Sequence, residues 1–188
     1  MIKIIVGIGN IGPKYENTIH NFGFIAIDYL LEAFNLNLNH KKQMFNGLIW
    51  EFFHNDQKII FAKPLTYVNN TIFFLLSVIN FYKIHIENIL IIYDDITLKK
   101  WKVFVKDNGS GNYHLGMENI ITGLKTKKIK RIKIGALNIF TDQRKICDKV
   151  LSKCSVDEIK NNFPFLEIKN IVDHFINNEF DLAKQKYR

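Results

Sequence analysis

Ile2-Lys3-Ile4-Ile5-Val6-Gly7-Ile8-Gly9-Asn10-Ile11-Gly12-Pro13 decides the fold. Residues 2 to 6 are apolar almost throughout and read as a buried strand, and the glycines that follow let the chain turn sharply at its carboxyl end. The same residues satisfy G-x-G-x-x-G, the pattern in which a helix N-terminus meets a pyrophosphate. Pro13 argues against that use. It would fall inside such a helix, where it removes a hydrogen bond and clashes with the preceding turn. The polar stretch Lys14 to Asn17 follows, and the next apolar stripe begins only near Phe24. Asp28 and Glu32 fall within that helix, so no acidic residue closes a second strand at the distance a ribose contact needs. Dinucleotide binding is the lesser reading.

Outward from this turn, strands and helices alternate. Residues 20 to 34 carry Phe24, Ile27, Leu31 and Phe34 at helical spacing, with Thr18 as the expected N-cap and His20 in the first turn. Residues 45 to 53 and 58 to 62 read as a hairpin around Asn55-Asp56. A polar turn through Asn69-Asn70 leads to an apolar helix ending near Tyr82. Ile89 to Tyr93 is an apolar strand expected to stop at Asp94-Asp95, and Trp101 to Val105 is another. Asp107 to Tyr113 is a glycine-containing loop feeding a helix from about His114 to Leu124, and the basic run Lys125 to Lys133 leads into a strand over 132 to 137. Ser155 and Glu158 have capping-box spacing, and Pro164 is placed to open a second C-terminal helix. The pattern predicts an α/β fold: a single domain over residues 1–188 with a mixed, mostly parallel sheet flanked by helices. In such sheets functional groups gather at the carboxyl ends of strands, where Asn10 and Asp94 are placed.

Composition narrows the partner. A formal net charge of +8 favours an anionic partner, most often nucleic acid for a basic domain of this kind. Ile, Asn, Lys and Phe are abundant throughout, so part of the lysine excess is compositional. No apolar run reaches spanning length and the N-terminus is too strand-like for a secretory segment, so a soluble, cytoplasmic protein is expected, with no membrane partner. Cys147 and Cys154 lack the flanking ligands of a zinc site and read as reduced thiols.

The combination Val6-Gly7-Ile8-Gly9-Asn10, Tyr15, Thr18, His20, Asn21, then Lys63-Pro64-Leu65-Thr66-Tyr67-Val68-Asn69, Asp94-Asp95, Gly109-Ser110, His114 and Gly116 resembles bacterial-type peptidyl-tRNA hydrolase. The match keeps order and spacing from residue 1 to about 137. The resemblance implies a monomeric α/β enzyme, without metal or organic cofactor, that cleaves the ester between a peptide and the 3′ ribose of tRNA. It makes His20 the catalytic base, suited to that task by an ordinary pKa of about 6.5. Asp94 would accept the imidazole N–H and fix the tautomer. Asn10 and Asn69 would hold the peptide main chain and the ester, Tyr15 and Tyr67 would line the cleft, and His114 would position substrate. The family's phosphate clamp corresponds to Lys106 and Lys133, and Arg131, two residues earlier on the same strand, should share a face with Lys133.

Several positions depart from the family pattern. Ile11 replaces a proline, Ile19 an arginine, Asn70-Thr71-Ile72 the usual Leu-Ser-Gly, and Leu115 an asparagine that binds substrate and water. Loss of such an amide would cost on the order of 10² in rate if it stabilises the transition state. These departures sustain a second reading, a catalytically impaired relative that serves as an RNA- or protein-binding module.

Overall fold

The run Ile2–Gly7 forms strand β1, and the alternation of its side chains divides the protein into two hydrophobic layers. The computed structural model describes residues 1–137 and 149–188. The other strands are β2 (Lys42–Met44), β3 (Gly47–His54), β4 (Gln57–Pro64), β5 (Ile89–Lys99), β6 (Val103–Lys106) and β7 (Lys130–Leu137). Helices whose full extent lies in the described residues are α1 (Phe22–Ala33), α2 (Thr71–Tyr82), α3 (Leu115–Leu124), α4 (Val156–Asn162), α5 (Phe165–Ile176) and α6 (Phe180–Lys186). The strands make one seven-stranded sheet in the order β2-β3-β4-β1-β5-β7-β6. Its centre is parallel, β1 pairing with β4 and β5 and β5 with β7. Its margins are antiparallel.

Ile5, Leu90, Ile92, Ile132 and Ile134 point to the layer of α1 and α5. Ile4, Val6, Ile89, Ile91 and Tyr93 point to the layer of α2 and α3. Strands covered on both faces must be largely apolar on both, which is why β1, apart from the buried Lys3, and Ile89–Tyr93 of β5 read as apolar runs. The chain leaves β1 through α1 toward β4 and later leaves β5 toward β7. The crevice between the carboxyl ends of β1 and β5 is therefore the point where the connections diverge, the usual ligand position in such sheets. No helix among the described residues is long and apolar enough to cross a membrane.

Local expectations fare unevenly. Asn55 and Asp56 both adopt left-handed backbone, φ 48 and 57°, as a two-residue hairpin turn requires. Ser155 accepts a hydrogen bond from the Glu158 N–H, the expected cap. Pro164 sits at the N-cap of α5. Three expectations are corrected. Residues Ile19–Asn21 form a 3₁₀ turn ahead of α1, and the Thr18 hydroxyl bonds the Tyr15 carbonyl instead of capping a helix. β5 does not stop at Asp94-Asp95 but continues, irregularly, to Lys99. That continuation runs so close over β7 that a Cβ at Gly135 would lie 1.8 Å from the Lys99 oxygen; only glycine fits. β6 begins at Val103, after a left-handed Trp101. Cys154 is buried, and Cys147 lies outside the described residues.

One polar knot ties the sheet margin. Glu51 on β3 accepts from Lys42 Nζ at 2.9 Å, from Lys58 Nζ at 3.0 Å and from the Tyr82 hydroxyl. Burial alone would raise the Glu51 pKa, but hydrogen bonds from Lys42, Tyr82 and Lys58 outweigh it and bring it to about 2. The stabilisation is complete above the ordinary value of 4.5 and lost as pH falls through about 2. Glu51→Gln should therefore cost about 1–2 kcal/mol at pH 7, allowing for the exposure of Lys42. Denaturant melts should show the two proteins converging as pH drops toward 2.

Candidate active site

The site begins with a close approach. A Cβ on Gly7 would lie 2.2 Å from the Gly23 carbonyl oxygen, and one on Gly23 would lie 2.4 Å from the carbonyl oxygens of Ile8 and Ile92. The glycines that resembled a dinucleotide motif thus let α1 press onto the ends of β1 and β5. The contact brings Asn21 beside Asn10. Asn10 N–H donates to Asn21 Oδ1 at 2.7 Å, and Asn21 Nδ2 donates to the Asn10 carbonyl at 3.1 Å. The Asn10 side chain in turn accepts the Val68 N–H on Oδ1 at 3.2 Å. Its amide nitrogen has no partner among the described residues and remains a donor.

Asp94, near the end of the regular part of β5, is 1% exposed. Its Oδ1 lies 2.9 Å from His20 Nδ1 and 3.2 Å from His114 Nε2. Hydrogen bonding assigns the protons. His114 Nδ1 accepts the Met117 N–H at 3.1 Å, so that nitrogen carries its lone pair and Nε2–H is the donor to Asp94. His20 donates its Nδ1 proton to the same oxygen and keeps the lone pair on Nε2. The two rings tilt against each other with centroids 4.8 Å apart. Burial alone would raise the Asp94 pKa, but the imidazoles of His20 and His114 hold it far below the usual carboxylate range. Burial likewise pulls His20 down, and the charge and hydrogen bond of Asp94 outweigh it, leaving a net rise above 6.5. His20, Asp94 and His114 have ligand-type atoms within 4.8 Å of one another, but both imidazole N–H groups face Asp94 and the His114 lone pair takes the Met117 N–H, which leaves the lone pair of His20 Nε2. The set is arranged to move a proton.

These residues open into a cavity of about 220 Å³ lined by Asn10, His20, Asp94 and His114, with Asn112, Tyr113 and Leu115 on the α3 side. Ile96, Val150 and Leu151 complete an apolar wall. Chain 152–154 is fastened to the stretch before His20, with Ile19 N–H on the Ser152 carbonyl at 3.1 Å and Cys154 N–H on the Asn17 carbonyl at 2.8 Å.

A family profile described as peptidyl-tRNA hydrolase matches residues 4–188. The chain belongs to the peptidyl-tRNA hydrolase family. It is 41% identical over 188 residues to a peptidyl-tRNA hydrolase of Mycoplasma capricolum subsp. capricolum, covering 99% of this chain and 100% of that one. A relative from Clostridium botulinum (strain Alaska E43 / Type E3) is 37% identical over 98% of this chain and 94% of its own. In fold, the chain resembles a peptidyl-tRNA hydrolase in complex with N-propanol, with TM-score 0.87 and 23% identity, over 99% of this chain and 94% of the other. The peptidyl-tRNA hydrolase of Acinetobacter baumannii has TM-score 0.80 and 23% identity, over 97% and 94%.

For a peptidyl-tRNA hydrolase, the remaining expected residues are placed unevenly. Asn69 is exposed on the 3₁₀ turn Val68–Asn70, beside the Val68 that Asn10 holds. Tyr67 is exposed, and Tyr15 is half-buried with Lys14 Nζ 4.7 Å from its ring centroid. None of these three lines the cavity among the described residues. Leu115 stands exposed at the first position of α3, on the cavity. Beside it, Asn112 Oδ1 accepts the Ser110 hydroxyl at 2.8 Å, which leaves the Asn112 amide nitrogen as a donor at the cavity edge. Arg131 and Lys133 do share a face, but the inner one: they are 0% and 3% exposed. Lys133 is ion-paired to Asp95, and Arg131 bonds three main-chain carbonyls. Enclosed and paired in this way, neither cation presents a free face to phosphate in this conformation. Of the three expected clamp residues only Lys106 is exposed. Sequence reasoning gave no role to Asn21 and missed Ile96, Val150 and Leu151, which have no motif and meet the site only through the fold.

Two outcomes are expected. Asp94→Asn removes the charge that raises the His20 pKa, so the acidic limb of kcat/KM should move to lower pH; kcat should fall on the order of 10³-fold, since an amide favours the wrong tautomer. Lys133→Ala strands the Asp95 carboxylate and should lower unfolding free energy by about 3–5 kcal/mol in urea melts; an unchanged melt would return Lys133 to the surface.

Proposed function

We propose that the chain hydrolyses the ester joining a peptide to the 3′ ribose of tRNA and so returns tRNA to translation. The observation that carries this reading is the buried 2.9 Å pair of His20 Nδ1 and Asp94, which leaves His20 Nε2 as a base at a cavity. Water placed between Nε2 and the ester carbonyl loses a proton to His20 as it attacks. Asp94 stabilises the imidazolium, which then protonates the departing ribose oxygen. The free amide nitrogens of Asn10 and Asn112 are the donors available to the carbonyl oxygen as it gains charge. In this reading Asn112 takes over the part of the asparagine that Leu115 replaces. His114 holds Asp94 from the other side. Asn69, Tyr67 and Tyr15 meet the peptide or the tRNA end outside the cavity. Lys106 contributes one salt-dependent phosphate contact. The enzyme works as a single-domain cytoplasmic monomer and without a cofactor.

The binding-module reading has less support, since a surface that only binds has no use for a buried carboxylate orienting an imidazole. Hydrolysis of N-acetyl-aminoacyl-tRNA by the purified chain and by His20→Ala tests both. Turnover that falls at least about 10²-fold with His20→Ala is expected. Retained tRNA binding with no turnover in either protein would favour the binding module.

A further inference from the structure

Arg131 heads the fully buried side chains by volume among the described residues. A guanidinium can be enclosed only if its donors find acceptors. Here Nε donates to the Ile129 carbonyl at 3.1 Å, Nη1 to the Ser110 carbonyl at 2.9 Å and Nη2 to the Lys127 carbonyl at 2.9 Å. All three acceptors are main-chain, so the charge organises backbone and does not neutralise a carboxylate. Lys127 and Ile129 lead into β7, the strand that carries Arg131. Ser110 lies across, in the loop between β6 and α3 that delivers Asn112, Tyr113 and His114 to the cavity.

That loop needs an anchor. Asn112 and Tyr113 both hold left-handed backbone, φ 51 and 69°, a conformation that side chains other than glycine occupy at a cost of about 1–2 kcal/mol each. The loop's other ties include Gly109 N–H on the Lys127 carbonyl at 3.2 Å and on Asn108 Oδ1 at 2.8 Å, Gly111 N–H on Glu118 at 2.6 Å, His114 N–H on the Gly111 carbonyl at 3.1 Å, and Lys184 Nζ on Asp107 at 2.5 Å at the loop's start. The Tyr93 ring packs edge-on against His114 at 4.9 Å, and burial raises the pKa of its phenol. Arg131 reaches the loop that immediately precedes His114, through the Ser110 carbonyl.

We propose that Arg131 is a positioning residue for this hydrolytic site, staking the Asp107–Tyr113 loop to β7 so that His114 meets Asp94 and Asn112 reaches the cavity. The role rests on the hydrolase reading for its kinetic consequence, but the stake itself can be measured without activity. Arg131→Lys keeps the charge and loses the fork. Its kcat should fall about tenfold or more, while KM for intact peptidyl-tRNA and its salt dependence stay those of the parent. The acidic limb of the pH profile should also stay, since the His20–Asp94 pair is untouched. Amides of Gly109, Gly111 and His114 should exchange faster, with β7 unchanged.

A raised KM with a flatter salt slope at unchanged kcat would make Arg131 a phosphate contact and overturn the proposal. Unchanged kcat with unchanged loop exchange would overturn it too. Should the lysine variant lose its thermal transition, native-state exchange of the parent decides. Loop amides that open only together with β7 support the stake, and loop amides that open while β7 stays closed overturn it. A parent chain with no turnover sinks the hydrolase reading alone, because the exchange comparison stands without it.

Discussion

A carboxylate with almost no access to water sits near the end of β5, and much of the surrounding structure is a response to it. An isolated buried charge is prohibitively costly, so Asp94 is kept only where donors converge. They come from opposite sides of the sheet: His20 from the turn leading into α1, and His114 from the N-cap of α3. The carboxylate draws together two segments that share no layer. Its satisfaction also sets the chemistry. Once Met117 N–H occupies one nitrogen of His114, that ring has a single proton to offer, and His20 is left as the ring with a lone pair to spare.

The same economy of buried charge explains β7. Its lysine and arginine lie on the face covered by α2 and α3, where hydrophobic residues would be expected. Each is placed against a segment that serves the site: Lys133 against Asp95, the neighbour of Asp94, and Arg131 against the loop that ends in His114. Buried ion pairs and forks add little net stability compared with apolar packing. Arg131 holds loop backbone that lies outside the sheet ladder, while Lys133 is tied to Asp95 at the end of the regular β5–β7 pairing.

How much of this could be read in the sequence follows from what each signal measures. β1 and the hairpin around Asn55-Asp56 were legible because apolar runs and left-handed turn residues are local properties. Asn10 and Asp94 were legible because they follow strand ends, which topology collects into one crevice, and His20 was legible through the family resemblance. β2 was missed because a short exposed margin strand such as Lys42–Met44 has no buried face to pattern. That Arg131 and Lys133 share a face was legible, but a two-residue period does not say that the face is the inner one. Their inner position depends on carbonyls and a carboxylate far away in the chain. Val150 and Leu151 carry no signal of their own, since they belong to the site only through hydrogen bonds to the stretch before His20.

Those hydrogen bonds have a mechanical meaning. The apolar wall of the cavity and the residue immediately before the base are two ends of one short lever, joined at Ile19 to Ser152 and at Asn17 to Cys154. A group that pushes the wall outward pulls on the backbone that aims His20. The apolar wall and the backbone that carries His20 thus form one hydrogen-bonded unit, and neither can shift without straining the two bonds that join them.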